Sequence, residues 1–591
     1  MLNLPPRPPA ELELVEGSAS TTRLHRIKPM PQGAQRRRIK IAVAGSGLAG
    51  LTAAYLLARQ NEKLQHVTIE VHLFEKSTTL GMDSQSVSVP LDNGEKLRVD
   101  VPMRSFQGGY YRQLIVLYNH LDIKLKCVDF TYSFSHLQKL VTSNELPSMW
   151  TFFIYNGQNG KRGLGLPSQY LWYYPRGKPI RAALQDFAST KLFPLMQFLW
   201  VTLTFFACYV RFVLMSTPAW RLSFWGSPTG ETLREWGERT RPRDIISRCL
   251  GFDASWDDFV RTVVFLLFSG MCTSSDVDVW AHPVEEILDY TWSTLFANHF
   301  VVADGVQDVV RRLSSHLDPE SVHLSSPITQ MLPDPTNPGM ITVVCPNTQI
   351  QGFSHVIFAT QATHAVPILS TYLEHLSPTS KLWSDTDRII RCLETFEYRQ
   401  NIVVTHTDDR LLPSDTRDRR DLNLVRFQPS RDWTGPTSPF PGKSHICMPP
   451  TFTMATHSIK SETSSQCIYQ STNPIIAPST DKVLSVAHLD RAILTVQSQS
   501  AVRELTMDDP ERAAWWALLR GRPKAKVLGA LQGGGRRRDM GSDRTSPGIW
   551  MCGSYAYEGI PLLEGCVASA RMVVGQGVMR AEGLDAWDVL V

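Results

Sequence analysis

The order of apolar and polar positions sorts most of this chain into elements. Residues 39–44 (IKIAVA) form an apolar run broken by one lysine, as in a strand buried on both faces. A glycine turn follows, and Ala and Leu at helical spacing predict a helix over 48–59. VTIEVHLFEK (67–76) reads as a second strand ending at Glu75. Residues 106–297 read as mostly helical and rich in aromatics. A helix is predicted at 304–317 and strands at SVHLSSPITQM, MITVV and HVIFAT. A mixed region begins at about 376. A Gly/Arg-rich linker spans 528–548, and the strand IWMCGSY leads into a last helix, PLLEGCVASARMVV. No internal repeat is present.

The turn itself, Gly45-Ser46-Gly47-Leu48-Ala49-Gly50, has the G-x-G-x-x-G spacing. The first glycine permits the tight turn, the second lets a pyrophosphate approach the backbone, and the third lets helix and strand pack closely. The helix N-terminus offers free N–H groups and a partial positive charge to the phosphates. Glu75, closing the next strand with Lys76 after it, suits the hydroxyls of an adenosine ribose. The spacing alone is weak, but strand, turn, helix and acid in this order predict a dinucleotide site. The competing reading is a strand–turn–helix with glycines for packing only.

Residues 192–210, LFPLMQFLWVTLTFFACYV, carry no charge and are long enough to cross a bilayer. A single crossing would split the nucleotide-binding segments between two compartments, and the next apolar run, 263–271, is too short to return the chain. The favoured reading is a buried or substrate-tunnel helix; the second is a monotopic, interface-embedded one.

Composition narrows the function class. With 591 residues, 43% hydrophobic and 20% charged, the chain is globular in composition and too long for one core. A net charge of +4 and the absence of a recognition motif argue against nucleic acid. Arg36-Arg37-Arg38 and Arg536-Arg537-Arg538 read as solvated loops. Ten scattered cysteines, none in a CxxC pair, suggest neither a zinc site nor a disulfide framework. The N-terminus lacks the apolar core of a secretory signal, so the expected location is cytoplasmic, with membrane contact through 192–210 as the second reading.

These motifs together resemble the flavin-containing amine oxidase superfamily. The likeness is greatest to an NAD/FAD-binding amine-oxidase-like branch related to phytoene and zeta-carotene desaturases. It runs in pieces from about 38 to 580: GSGLAGLTAAYLL with LFEKS, LGMDSQSVSV, VDVPMRSFQGGYYRQLIVLYNHLDI, DGVQDVVRRL with VHLSSPITQM, HVIFATQATHAVPIL, NIVVTHTDDRLLP, and IWMCGSYAYEGIPLLEGCVASARMVV. The chain departs from the family pattern at Met82, Asp83, Gln361 and Ser554-Tyr555.

The resemblance implies an α/β fold (α+β overall) and non-covalent FAD. The FAD-binding domain would be Rossmann-like and discontinuous, from 38–105, 298–375 and 548–580. A helical substrate region would span 106–297, a mixed one 376–547, and a flexible lead 1–37. Gly45, Ser46, Gly47, Leu48, Ala49, Gly50, Glu75 and Lys76 would hold the ADP half. Met103 and Arg104 would lie near the isoalloxazine, with Gly553, Glu564, Gly565 and Val567 at the closing turn and helix. No metal is expected.

Flavin chemistry needs no catalytic triad, since the cofactor takes the hydride. Tyr557 and Tyr111 are the weak catalytic candidates, with Tyr110 and Tyr555 as further aromatics, and no lysine matches the one usual beside flavin N5. The expected activity is hydride transfer from a C–H of a small, mainly apolar substrate to flavin N5, with oxygen or another acceptor. Two alternatives stand beside it, a lipid or isoprenoid desaturase and a nucleotide-binding protein without turnover.

Overall fold

The computed structural model describes residues 36–138, 147–157, 161–170, 193–221, 226–249, 251–428, 446–461, 463–509, 525–536 and 546–586. The expected lead therefore lies outside the described residues up to 35. The architecture is the expected mixed α/β one, with a parallel sheet on one side and a larger mixed sheet and helices on the other.

The parallel sheet has five strands, in the order Val322–His323, Val67–Phe74, Arg37–Ala44, His355–Phe358 and Gly548–Met551. The first strand is hydrogen-bonded to Val67–Phe74 on one side and His355–Phe358 on the other, both parallel. Its side chains feed two cores. Ile39, Ile41 and Val43 pack in one with the helix Leu48–Gln60, while Ala42 and Ala44 face another with the helix Ala362–Leu373. That two-sided burial is why the strand reads as a near-continuous apolar run. The sheet draws its strands from across the chain, and the strand order reverses between Arg37–Ala44 and His355–Phe358. At such a reversal the connections leave in opposite directions and open a crevice at the carboxyl ends of the strands.

The glycines set the height of that crevice. Gly45 has φ +95°, and a Cβ there would meet the Ala359 carbonyl oxygen at 3.1 Å. A Cβ at Gly50 would fall on the Gly45 carbonyl oxygen. Only hydrogen at both positions lets the helix start against the sheet.

The second sheet has eight strands, including Tyr132–Leu137, Met149–Tyr155 and Leu164–Gly165. The region 106–297 is mostly helical from Phe193 onward, as expected, but its earlier aromatic-rich stretches are strands, and Tyr132–Leu137 pairs in parallel with Leu422–Phe427. The Gly/Arg-rich linker is also corrected over its described part. Gln532 Nε2 donates to the Met551 carbonyl and Gln532 Oε1 accepts from the Met551 N–H, so the segment covers the outer edge of Gly548–Met551. Arg536 is buried rather than solvated, with its Nε 2.9 Å from Glu582 Oε1, and Arg37 also reaches Glu582 at 3.1 Å.

The apolar segment forms the helix Phe193–Ser216. The buried reading holds for one side only. Thr204, Cys208, Phe212 and Met215 are buried, while Met196, Leu199, Trp200, Leu203 and Phe206 are exposed. The packed side rests on Phe259, whose ring lies 5.9 Å from Phe205 and 6.1 Å from Phe212. The second apolar run is largely interior, in the helix Phe265–Cys272 and the π-turn before it, with Leu267 alone in it exposed.

Gly50→Ala should lower stability by roughly 1–3 kcal/mol or more, the usual cost of overpacking, because the added methyl meets backbone rather than a side chain that can move. Urea unfolding of the purified chain measures it; unchanged stability would contradict the close approach.

Candidate functional site

The crevice opens into a cavity of about 1290 Å³, above the roughly 300–1,000 Å³ of ordinary ligand pockets. Three loops at the carboxyl ends of the parallel strands form its floor: Gly47–Ala49, Ala359–Gln361 and Gly553–Tyr555. The eight-stranded sheet forms one wall. Seven of its eight strands contribute residues two apart, such as Tyr132 and Phe134, Asn401 and Val403, or Leu489 and Arg491. Period two puts such pairs on one face, so one whole face of the sheet looks into the cavity. Helices close the rest with Phe205, Phe259, Phe268, Met271 and Tyr290.

At the glycine turn, Glu75 is buried and already holds three donors. Its Oε2 accepts from the Ser46 N–H at 2.9 Å and the Ser46 hydroxyl at 2.5 Å, and its Oε1 from the Ser77 N–H at 2.9 Å. A carboxylate accepts about four bonds, so one acceptor site remains, although Glu75, with Gly45, Ser46 and Gly50, lies behind the cavity lining rather than on it. The Ser46 hydroxyl in turn accepts from the Gly81 N–H at 2.8 Å, tying the LGMD turn to the glycine loop. Lys76 is exposed and is not among the cavity's lining residues. A Cβ at Gly47 would have no atom within 4 Å, so this glycine leaves open space where Gly45 and Gly50 leave none.

Met103 and Arg104 both line the cavity. The Arg104 guanidinium donates to the Met82 carbonyl at 2.8 Å, while its Nε is buried without a partner. Burial lowers the pKa of this arginine, since desolvation disfavours its charge. A buried cation with an unfilled donor, beside an open glycine turn, fits a phosphate-bearing dinucleotide. Thr360 Oγ1 and the Tyr555 hydroxyl are also buried without partners at this end of the cavity. FAD is therefore compatible with the residues present, with open space at Gly47 for its phosphates and with Met103 and Arg104 on the lining of the same cavity.

The closing helix, Leu563–Met572, presents Leu563 and Cys566 to the cavity. Glu564 does not face it: both carboxylate oxygens accept from the N-terminus of the helix Arg112–His120, from Gln113 N–H at 2.9 Å and Leu114 N–H at 3.1 Å. The placement of Glu564 on the cofactor is corrected accordingly, since a helix N-terminus competes for its charge. Gly565 serves packing, because a Cβ would lie 2.8 Å from the Ser554 carbonyl oxygen, and Val567 is core. Gly553 lines the floor at φ +151°, with Tyr555 folded against it.

Of the aromatic candidates, Tyr111 and Tyr555 line the cavity and Tyr557 and Tyr110 do not. Tyr110 donates instead to the Ile560 carbonyl at 3.1 Å. Gln361 replaces a glycine without strain, at φ −61°, and its amide donates to the Asp490 carbonyl at 2.9 Å. Met82 is buried, and Asp83 pairs with Arg98 at 2.7 Å. Polar lining residues that the sequence reading passed over are Asn401, His457, Gln470, Asp490 and Arg491. They sit on strands in the stretch that the sequence marked only as a mixed region from about 376. No lysine is among the cavity's described lining residues.

Two buried glutamates behind the cavity give it a pH dependence. Burial pushes Glu286 and Glu564 up to about 7 from the ordinary value of 4.5. Between those values the folded chain holds protons that the unfolded chain has released, so stability falls as pH rises through that window and levels off above it. Glu286→Gln should remove a share on the order of 3 kcal/mol, at about 1.4 kcal/mol per pKa unit. The stability difference between pH 5 and pH 8, from urea unfolding, should narrow in the variant; an unchanged difference would contradict the raised glutamate.

Comparison with known proteins agrees with the parallel-sheet end of the molecule. Residues 43–121 match the family model of the NAD(P)-binding Rossmann-like domain. No curated protein matches the chain. Among solved structures, the chain is similar to the cyclohexylamine oxidase of Brevibacterium oxydans IH-35A, with a TM-score of 0.45 and 10% identity over 92% of this chain and 99% of that one. It is also similar to an oxidoreductase from Methanosarcina mazei, with a TM-score of 0.44 and 10% identity over 90% and 99% of the two chains. The chain thus carries a Rossmann-like, NAD(P)-binding-type domain that begins at the glycine turn.

Proposed function

We propose that this protein is an FAD-dependent, amine-oxidase-like oxidoreductase acting on a small, mainly apolar molecule. One observation carries the reading: a single cavity joins the glycine turn, where a dinucleotide's phosphates fit, to an aromatic and aliphatic chamber. Bound FAD would supply the acceptor for a hydride from a substrate C–H. The chain's own residues then have three tasks. The N–H groups after Gly47 and the Arg104 guanidinium hold negative charge, and Glu75 holds the ribose. Phe134, Phe205, Phe259 and Leu424 exclude water from the reacting end, which strengthens every electrostatic contact there. The sheet face orients the substrate through Asn401, His457 and Arg491 set among apolar neighbours. Burial holds His457 down at about 4, so it is neutral at pH 7 and offers a hydrogen bond rather than a charge.

The lining favours hydrocarbon over charge, which keeps an isoprenoid or lipid desaturase as the second reading. Purified full-length protein should be yellow, with the visible absorption of oxidised flavin. Colourless protein that FAD does not reconstitute would overturn the proposal. Gly47→Ala should retain the wild-type unfolding midpoint, because its methyl meets nothing, yet lose flavin by occupying the space of the phosphates. Anaerobic bleaching against amines and polyenes then separates the two readings, and a flavoprotein that neither class bleaches would favour binding without turnover.

A further inference from the structure

The helix Phe193–Ser216 has an outer face that the described residues leave uncovered. Met196 is 57% exposed, Leu203 61% and Phe206 63%, with Leu199, Trp200 and Val210 on the same side. Their spacing of three and four residues makes one stripe along a helix about 36 Å long. Exposed apolar area of this extent marks an interaction surface.

Both ends of the stripe continue onto other segments that combine exposed apolar and cationic residues. At one end the Tyr170 ring lies 4.8 Å from Phe198, and its segment carries exposed Leu164 and Leu166 with Lys161 and Arg162. At the other, Arg211 donates to the Thr240 carbonyl at 2.7 Å. There the turn into Ile245–Cys249 exposes Ile245 at 79% and Ile246 beside Arg243 and Arg248. Arg241 is paired with Asp253 at 3.2 Å and Asp257 at 3.1 Å, so the cations this end offers are Arg243 and Arg248, beside Asp244. An apolar strip with cations at both ends complements a bilayer with anionic headgroups, where the strip meets acyl chains and the cations meet phosphates.

The strip is also continuous with the cavity. Leu164, Phe206, Tyr209, Val210, Leu267 and Phe296 are exposed to solvent and line the cavity as well. The helix cannot be a simple span, because chain segments before and after it build one parallel sheet. We propose that this face lies in the surface of an anionic membrane, with the helix in the interfacial plane, so that the cavity opens to molecules dissolved in lipid. Membrane docking stands independently of the bound cofactor; the substrate route rests on the oxidoreductase reading.

The test is flotation of the full-length protein with vesicles of phosphatidylcholine alone and with added phosphatidylserine. The wild type should float with the mixed vesicles and less with the neutral ones. Leu199→Glu with Leu203→Glu lies outside the cavity lining and should lower the bound fraction at least about tenfold, with an unchanged unfolding midpoint. Ile245→Glu with Ile246→Glu should do the same at the other end of the strip. Absence of flotation, or flotation that both double variants retain, overturns the proposal. A dimer in vesicle-free solution that both variants convert to monomer, without vesicle binding, would assign the face to a second copy and overturn it as well. Flavin absorbance, read on the same samples, reports on the cofactor whichever way the vesicles decide.

Discussion

The close approach of a helix to a strand at residues 45–50 is the constraint on which the rest depends. Gly45 and Gly50 pack backbone on backbone, and Ala359, in the loop just after the strand His355–Phe358, closes over the same point. That contact sets the depth at which the helix Leu48–Gln60 begins, and so where its free N–H groups point. It lies where the first strand pairs in parallel with His355–Phe358, at the strand-order reversal. A methyl group at either glycine would lift the helix and fill the crevice from below.

From that point the molecule divides its work by chemistry. The parallel sheet supplies polar floor groups at its carboxyl end, and the eight-stranded sheet supplies a broad, largely apolar wall. The few charges in the cavity act in a medium poorer in water than the surface, so the unfilled donor of Arg104 matters more there than outside. Glu564 belongs to the scaffold: it caps the helix Arg112–His120 and fixes the angle at which Tyr111, just before that helix, meets the cavity.

The helix Phe193–Ser216 links this interior to the outside. One side completes the aromatic core with Phe259, and the other side remains apolar and exposed. A soluble protein does not gain from such a face in water, where each uncovered leucine forfeits burial energy. The adjoining cations and the shared cavity lining give the face a chemical direction that hydropathy along the chain does not supply.

Local order was legible where one element dictates its own pattern. The apolar run 39–44, the glycine spacing, the strand ending at Glu75 and the closing strand and helix were all readable, because backbone sterics and two-sided burial restrict which residues can stand there. Met103 and Arg104, which resemblance places near an isoalloxazine, line the cavity. What the sequence left open were choices made between distant segments. Asn401, Gln470 and Arg491 lie in a stretch with no clear alternation along the chain, and sheet pairing alone decides that they reach the cavity wall. Glu564 could have met a cofactor or a helix end, and the packing of Arg112–His120 decided it. The sequence by itself determined a dinucleotide-type turn and an apolar helix. Tertiary structure alone decided that the helix keeps one side bare, because exposure is a property of neighbours and not of the residues themselves.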